Sequence, residues 1–409
     1  MKRYILIVLA MTLLSCLSTK QSNNEQADGY LFDPSESLNV SLKQYETNNS
    51  LQVPDDHIVK NSIQQPEFIA ELKKSLAIGS QNIKKKPKAP KRQGIIYYCD
   101  NDLDYIKVCD GIKPDDSGFD GSYTYEPIRC FPIYGKVKTL RGSYEDEILE
   151  FTAKGDLSYE GYLAGDSTDP YGASYSYDSK GRLCRFEVGG CRNSVLSPPL
   201  SPSIHGQETF EYDSRGNFAL REYVQYMWVG INKQSIYSYK YDSRNNIIAK
   251  VVQTKDKRSP DSEGDVAYYN YEYDARNNLI AEAKLNAEGE LDYRYNYKYD
   301  SQGNIVEVTL SGFSGMKSKR LFHYSANGVL LLSEHYGEDY NLASYTLYKY
   351  DERGNMIEKS QFDSNQNLQN NNSYKYDRMG NVVESVGSEP YLYFSSYDEV
   401  LKIKITYYK

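Results

Sequence analysis

Residues 372–386 read NSYKYDRMGNVVESV, and the fold turns on whether this stretch is one loop or one unit of a series. Its core of Tyr, Asp, two variable residues and Gly or Asn returns as Tyr177-Asp178, Tyr212-Asp213, Tyr241-Asp242, Tyr273-Asp274, Tyr299-Asp300, Tyr324-Ser325, Tyr350-Asp351 and Tyr376-Asp377. The later copies stand 25 or 26 residues apart. Self-similarity at a fixed period marks a repeat architecture, in which each unit completes its core only against its neighbours.

Each copy has a local physical reading. In Tyr348-Lys349-Tyr350 the strand period of two puts both rings on one face and Lys349 on the other, and every copy has an aromatic residue two positions before its motif Tyr. Lys240, Glu272, Lys298, Lys349 and Lys375 all lie between two Tyr in this way. Asp351 then opens a turn, because a carboxylate at the first position of a type I turn accepts backbone N–H bonds. Three residues later the chain needs left-handed backbone before the return strand. Gly181, Gly216, Gly303, Gly328, Gly354 and Gly380 hold that position, and the two exceptions are Asn245 and Asn277, the other residue type that tolerates it. A weaker echo appears as FTAKGDL from Phe151, LNAEGEL from Leu285 and FDSNQNL from Phe362. Turns about every 13 residues leave space for strands of about eight, which fits an up-and-down antiparallel meander.

The phrase resembles the YD repeat of the Rhs and teneurin families. Tyr177-Asp178-Ser179-Lys180-Gly181-Arg182-Leu183 matches the Y-D-x-x-G-R-L form completely, later copies carry Asn in place of Arg, and one carries Ser325 in place of Asp. The likeness covers about residues 166–390. It implies that the array curls: long arrays of this family form a hollow β shell that encloses a toxin in bacterial members or carries adhesion contacts in animal ones. Eight copies are few for a closed shell. The expected fold is therefore all-β, a meander of tandem hairpin repeats forming an open twisted sheet or a partial β shell.

Outside the array the chain divides further. The start, MKRYILIVLAMTLLSC, has two basic residues and an apolar stretch too short to span a bilayer, as in a secretory signal over residues 1–15. Leu13-Leu14-Ser15-Cys16 resembles the lipobox of bacterial lipoproteins, which implies a diacylated Cys16; an ordinary signal with an incidental Cys is the other reading. Leu17 in place of Asp after the Cys favours an outer-membrane lipoprotein, facing the periplasm or the surface. Residues 16–93 are rich in polar residues and read as a disordered tether with one short amphipathic helix near 67–78, able to dock on the folded body. Residues 94–165 read as a β lead-in or cap, and 166–409 as the repeat array.

The chain has 42 Tyr against one Trp, a composition suited to pleated faces and to recognition surfaces. A net charge of -8 argues against a nucleic-acid partner, although the run Lys84 to Arg92 is basic. In an oxidising compartment Cys184 and Cys191 could bridge a hairpin, and Cys99 with Cys109 is another pairing. No C-x-x-C, catalytic elbow or phosphate loop is present, and the four His are scattered, so the sequence predicts no enzyme, no cofactor and no metal site. The recurring Asp residues are accounted for together as turn formers. The expected role is a non-catalytic binding or adhesion module of the cell envelope. Its partners would be the membrane, through the lipid, and a glycan or an envelope protein. Tyr391 and Tyr393 are the candidate ligand contacts, at an array end expected to be unpaired along with Tyr397, Tyr407 and Tyr408. The alternatives are a structural spacer or assembly protein, or, from the resemblance alone, a carrier or neutraliser of a secreted toxin.

Overall fold

The alternation of rings and charges becomes 21 antiparallel strands and one helix among the residues described by the computed structural model. These are residues 66–85, 133–142, 147–162, 171–190, 204–227, 230–257, 264–312, 315, 317–387 and 400–408. Cys16, Cys99, Cys109, Cys130, Cys191, His57, Tyr391, Tyr393 and Tyr397 lie outside them.

The helix α1 (Glu67–Gly79) comes first, followed by β1 (Val137–Arg141), β2 (Glu147–Phe151) and β3 (Leu157–Tyr162). The repeats then give β4 (Tyr171–Tyr177) and β5 (Leu183–Gly190), β6 (Ile204–Tyr212) and β7 (Phe218–Met227), and β8 (Gly230–Tyr241) and β9 (Ile247–Asp256). Next are β10 (Asp265–Tyr273) and β11 (Leu279–Leu285), β12 (Leu291–Tyr299) and β13 (Ile305–Gly312), and β14 (Lys317–Tyr324) and β15 (Leu330–Tyr336). Finally come β16 (Leu342–Tyr350) and β17 (Met356–Asp363), β18 (Leu368–Tyr376) and β19 (Val382–Val386), then β20 (Val400–Lys402) and β21 (Lys404–Tyr407). Each motif Tyr thus ends an incoming strand, and the apolar residue after the turn begins the outgoing one.

Every strand from β1 to β19 pairs with the next in sequence, and β21, one residue beyond β20, returns to pair with β1. The result is a nearly closed, barrel-like sheet. The partial shell is therefore carried almost to closure, because β1–β3 and β20–β21 add strands beyond the two that each copy supplies. One expectation is corrected here. The array does not end on an unpaired edge at Tyr407 and Tyr408: Tyr407 stands opposite Val137, the Tyr408 N–H donates to Lys136 O at 2.8 Å, and its hydroxyl donates to Phe151 O at 2.6 Å.

The two faces differ as period-two logic requires. One core cluster joins Leu140, Phe151, Leu157, Tyr175, Phe210, Tyr295, Tyr297, Phe322, Tyr348, Tyr374 and Leu401, drawn from strands all around the sheet, so the ring-bearing face is the interior. On the outward face Lys298, Lys349 and Lys375 stand opposite Glu307, Glu358 and Glu384 and pair with them at 2.9, 2.7 and 2.6 Å. Exposed pairs of this kind contribute about 0–1 kcal/mol each, so the aromatic interior is the main source of stability.

Helix α1 packs on the outward face of β14–β17. Phe68, Ile69, Leu72 and Leu76, spaced at helical period, meet Leu321, Leu332, Tyr336, Leu342, Tyr345, Leu347 and Phe362. Ile69 and Leu332 are fully buried, and Phe362 stacks on Tyr345 at 5.0 Å. The helical part of the tether is therefore built into the folded body. Among the described residues no helix is long and apolar enough to cross a membrane.

Candidate functional site

The up-and-down course places alternate connections at opposite ends of the shell. At one end lie the eight motif turns and a ninth between β2 and β3, the FTAKGDL segment, and all nine connections are five residues long. The remaining connections, at the other end, range from two residues between β7 and β8 to thirteen between β5 and β6 and between β19 and β20. The echoes LNAEGEL and FDSNQNL belong to this second end.

The uniform turns share one circuit. The Asp213 N–H donates to Asn217 O at 2.8 Å and the Gly216 N–H to Asp213 O at 3.0 Å, while Asp213 Oδ1 accepts the N–H groups of Arg215 and Asn217. The left-handed residues Gly181, Gly216, Asn245, Asn277, Gly303, Gly328, Gly354 and Gly380 have φ between 65° at Asn245 and 90° at Gly380. Sequence reasoning missed the residue that follows them. Its side chain reaches back to the second carboxylate oxygen: Asn246, Asn278, Asn304 and Asn355 do so at 2.6–2.9 Å, and Arg182 bonds Asp178 in the same role. The signal was the recurrence of Asn or Arg at that position, which explains why the two interchange. These contacts hold Asp213, Asp242 and Asp274 below the usual carboxylate range, the backbone N–H of Asn217, Asn246 and Asn278 being the largest cause in each.

Neighbouring turns are also tied to each other. Arg215 Nη1 donates to Asp242 O and Arg244 Nη1 to Asp274 O, at 3.2 and 3.3 Å. Beneath them the motif hydroxyls form a second ladder: Tyr177, Tyr212, Tyr299 and Tyr376 donate to the carbonyls of Leu157, Leu183, Leu279 and Met356, each the first residue of an outgoing strand of the preceding unit.

Deeper inside, the wall carries cations among the rings. Arg221 pairs with Glu208 at 2.7 Å and lies over the Tyr237 ring at 4.1 Å, and Lys250 Nζ sits 3.9 Å from the Tyr269 ring centre. A buried charge survives only with such compensation.

A further site lies outside, where α1 meets the uniform end. The fully buried Glu334 carboxylate accepts Lys73 Nζ at 2.7 Å and also bonds His323 Nε2 and the Tyr336 hydroxyl. Beside this cluster opens a cleft of about 360 Å³ lined by Lys73, Leu76, Ala77, Asp300, Val306, Phe322, His323, Tyr324, Ser325 and Leu331. His323 stands opposite Leu332, not position 330 as the simple hairpin count gives, because the register shifts between His323 and Tyr324. His335 faces the interior, where burial and then Arg320 lower its pKa to about 4. The two His therefore lie on opposite faces. Among the described residues no group of three or more His, Cys, Asp or Glu is placed to hold a metal ion. Cys184 is half-buried on β5, and its suggested partner Cys191 is not described. Tyr391 and Tyr393 fall in sequence between β19 and β20 and lie outside the described residues.

No protein-family model and no curated protein matches the chain. Among solved structures it is similar to the crystal structure of TcdB2-TccC3-TEV, with a TM-score of 0.27 and 13% identity over 60% of this chain and 16% of that one. It is similar to a Tc holotoxin pore of Photorhabdus luminescens, with a TM-score of 0.27 and 13% identity over 59% of this chain and 15% of that one. It is also similar to a porin-like protein from Bacteroides uniformis, with a TM-score of 0.31 and 10% identity over 67% of this chain and 99% of that one. The chain thus spans about one sixth of the length of the Tc structures.

Proposed function

We propose that this chain is a lipid-tethered, non-catalytic binding module of the bacterial cell envelope, and that it meets a glycan ligand at the irregular end of its shell. The contrast between the two ends carries the reading. Nine connections of one length, with Arg215, Arg244 and Gln302 each bonding a carbonyl of the next turn, make a scaffold. The other end supplies connections of unequal length and composition, which is where a rigid β framework displays recognition residues. Tyr391 and Tyr393, which fall in sequence between β19 and β20, carry rings that can stack on a sugar face and hydroxyls that can bond it. The residues disfavour a lipid-embedded barrel. Such a barrel turns an apolar band outward and polar residues inward, whereas here Lys–Glu pairs face out and aromatic rings face in.

Two measurements test this reading. Palmitate labelling is expected on the native chain and not on Cys16→Ser, which should leave the membrane fraction. On a glycan array, the soluble chain from Leu17 onward is expected to bind, and Tyr391→Ala with Tyr393→Ala to lose that binding with the melting transition retained. Absence of binding across the array, or binding untouched by the double substitution, refutes the proposal. Starting the soluble chain before α1 is essential, because the helix covers Leu332 and Tyr345.

A further inference from the structure

The sixth copy of the repeat differs at His323 and Ser325, and both, with the motif Tyr324 between them, line the cleft beside α1. Where five of the other copies have Lys or Glu between two Tyr, this one has His323. Where the others open the turn with Asp, it has Ser325, whose Oγ accepts the Val329 N–H at 3.1 Å and keeps its own proton to donate. Its motif hydroxyl also differs. Tyr177, Tyr212, Tyr299 and Tyr376 each donate to a carbonyl, whereas the Tyr324 hydroxyl has no hydrogen-bond partner among the described residues and lines the cleft. Tyr350 shares the missing bond but does not line the cleft; it sits beside Tyr324, Tyr348 and Tyr376.

The tether side of the cleft is fixed as firmly. Lys73 is held by Glu334, and just beyond the helix the Ile83 carbonyl accepts Asn327 Nδ2 from the Ser325 turn at 2.8 Å. The cleft thus exists only when tether and deviant repeat meet.

We propose that this cleft is a second binding site, for a single neutral sugar ring. Its volume of about 360 Å³ falls at the low end of small-ligand sites. Its polar groups alternate in kind. Tyr324 and Ser325 offer hydroxyls, His323 offers Nδ1 because Nε2 faces Glu334, and Lys73 offers N–H donors. Asp300 receives the N–H groups of Gln302 and Asn304 and the Asn304 amide, which leaves carboxylate acceptor capacity. Both donors and acceptors at short spacing suit vicinal hydroxyls, while Leu76 and Ala77 of α1 offer an apolar surface to the C–H face of the ring. The charges disfavour an anion: Glu334 already neutralises Lys73, and Asp300 faces the same space.

This site deepens the glycan reading above and rests on it for ligand class, but the two are separable. Saturation-transfer NMR on the chain from Leu17 onward, with free glucose and free N-acetylglucosamine as probes and acetate as the anionic comparison, is expected to show transfer to at least one sugar and none to acetate. Tyr324→Phe, which removes one oxygen and keeps the ring, is expected to weaken that sugar at least tenfold, and Ser325→Ala to do the same. Tyr391→Ala with Tyr393→Ala should leave this binding intact while abolishing capture on the glycan array. No transfer to either sugar, transfer to acetate alone, or affinity unchanged by Tyr324→Phe overturns the cleft proposal. If the array still depends on Tyr391 and Tyr393, the function proposed above survives that failure. Should Ser325→Ala not fold, Tyr324→Phe decides alone.

Discussion

The two ends of the shell are made by the same strands and obey different rules. At the uniform end an Asp, a left-handed Gly or Asn and a following Asn recur, and Arg215, Arg244 and Gln302 carry bonds from one turn to the next. At the other end the β11–β12, β15–β16 and β17–β18 turns repeat the local circuit: Asn286 with Gly289, Gly337 with Tyr340 and Asp363 with Gln366 each close the same N–H to carbonyl bonds. Among the described residues one turn design serves both ends, and bonds from one turn to the next are found at the uniform end. Uniform length lets neighbouring turns reach each other, so that Arg215, Arg244 and Gln302 each bond the turn that follows.

The sharpest way to break this contrast is insertion. Five Gly/Ser residues placed within 351–355 would disrupt the Asp351 bonds to Arg353 and Asn355 and the Gly354 closure. At about 1 kcal/mol per bond the loss is about 3 kcal/mol or more. The same insertion within the β9–β10 connection should cost less than about 0.6 kcal/mol, since lengthening a loop only adds closure entropy. Urea unfolding of the two variants gives the comparison, and equal losses would remove the distinction between the ends. A smaller effect is expected at one left-handed residue. A Cβ added at Gly303, whose φ is 81°, would meet nothing within 4 Å, so any loss is conformational. Gly303→Val should cost about 1–3 kcal/mol and Gly303→Asn much less.

Acid should act on the turn carboxylates. Asp213, Asp242, Asp274 and Asp300 titrate below the ordinary carboxylate value of about 3.9 when folded. Their contribution is complete above that value and is lost as pH falls through the lowered folded values. The melting temperature should fall between about pH 5 and pH 2, and Asp213→Asn should flatten that dependence. A melting temperature constant over this range would show that these carboxylates contribute nothing.

Much of this architecture is legible in the sequence because period-two alternation and turn chemistry are local. The interior rings, the left-handed positions and the outward Lys residues follow from neighbours two to four residues apart. Near-closure does not, since it depends on β21 finding β1 across more than 260 residues, and no local pattern in KITY specifies that partner. The cleft was hidden for a related reason. His323, Tyr324 and Ser325 look like wear in one copy of a repeat until α1, from far upstream, is packed beside them. The clamp by Asn or Arg was readable in principle, as a recurring residue type with no assigned role.

The smallest expected effect probes whether the two ends differ in turn residues or only in the ladder. In the β17–β18 connection Asp363 N–H donates to Asn367 O, Gln366 N–H donates to Asp363 O, and Asp363 accepts Asn365, Asn367 and the Asn367 amide, a complete copy of the uniform circuit. Its one departure is Gln366, at φ 67° where the motif turns have Gly or Asn. A side chain with a Cβ costs about 1–2 kcal/mol in that region, while Gly gives back about 0.5–1 kcal/mol through unfolded-state entropy. Gln366→Gly should therefore stabilise the shell by up to about 1 kcal/mol, seen as a higher urea midpoint with an unchanged slope. The reverse exchange, Gly303→Gln, should cost a similar amount plus whatever the ladder adds. If the two changes are equal and opposite, the turns are interchangeable and the ladder alone distinguishes the ends; a larger loss at Gly303 measures the strength of the ladder itself.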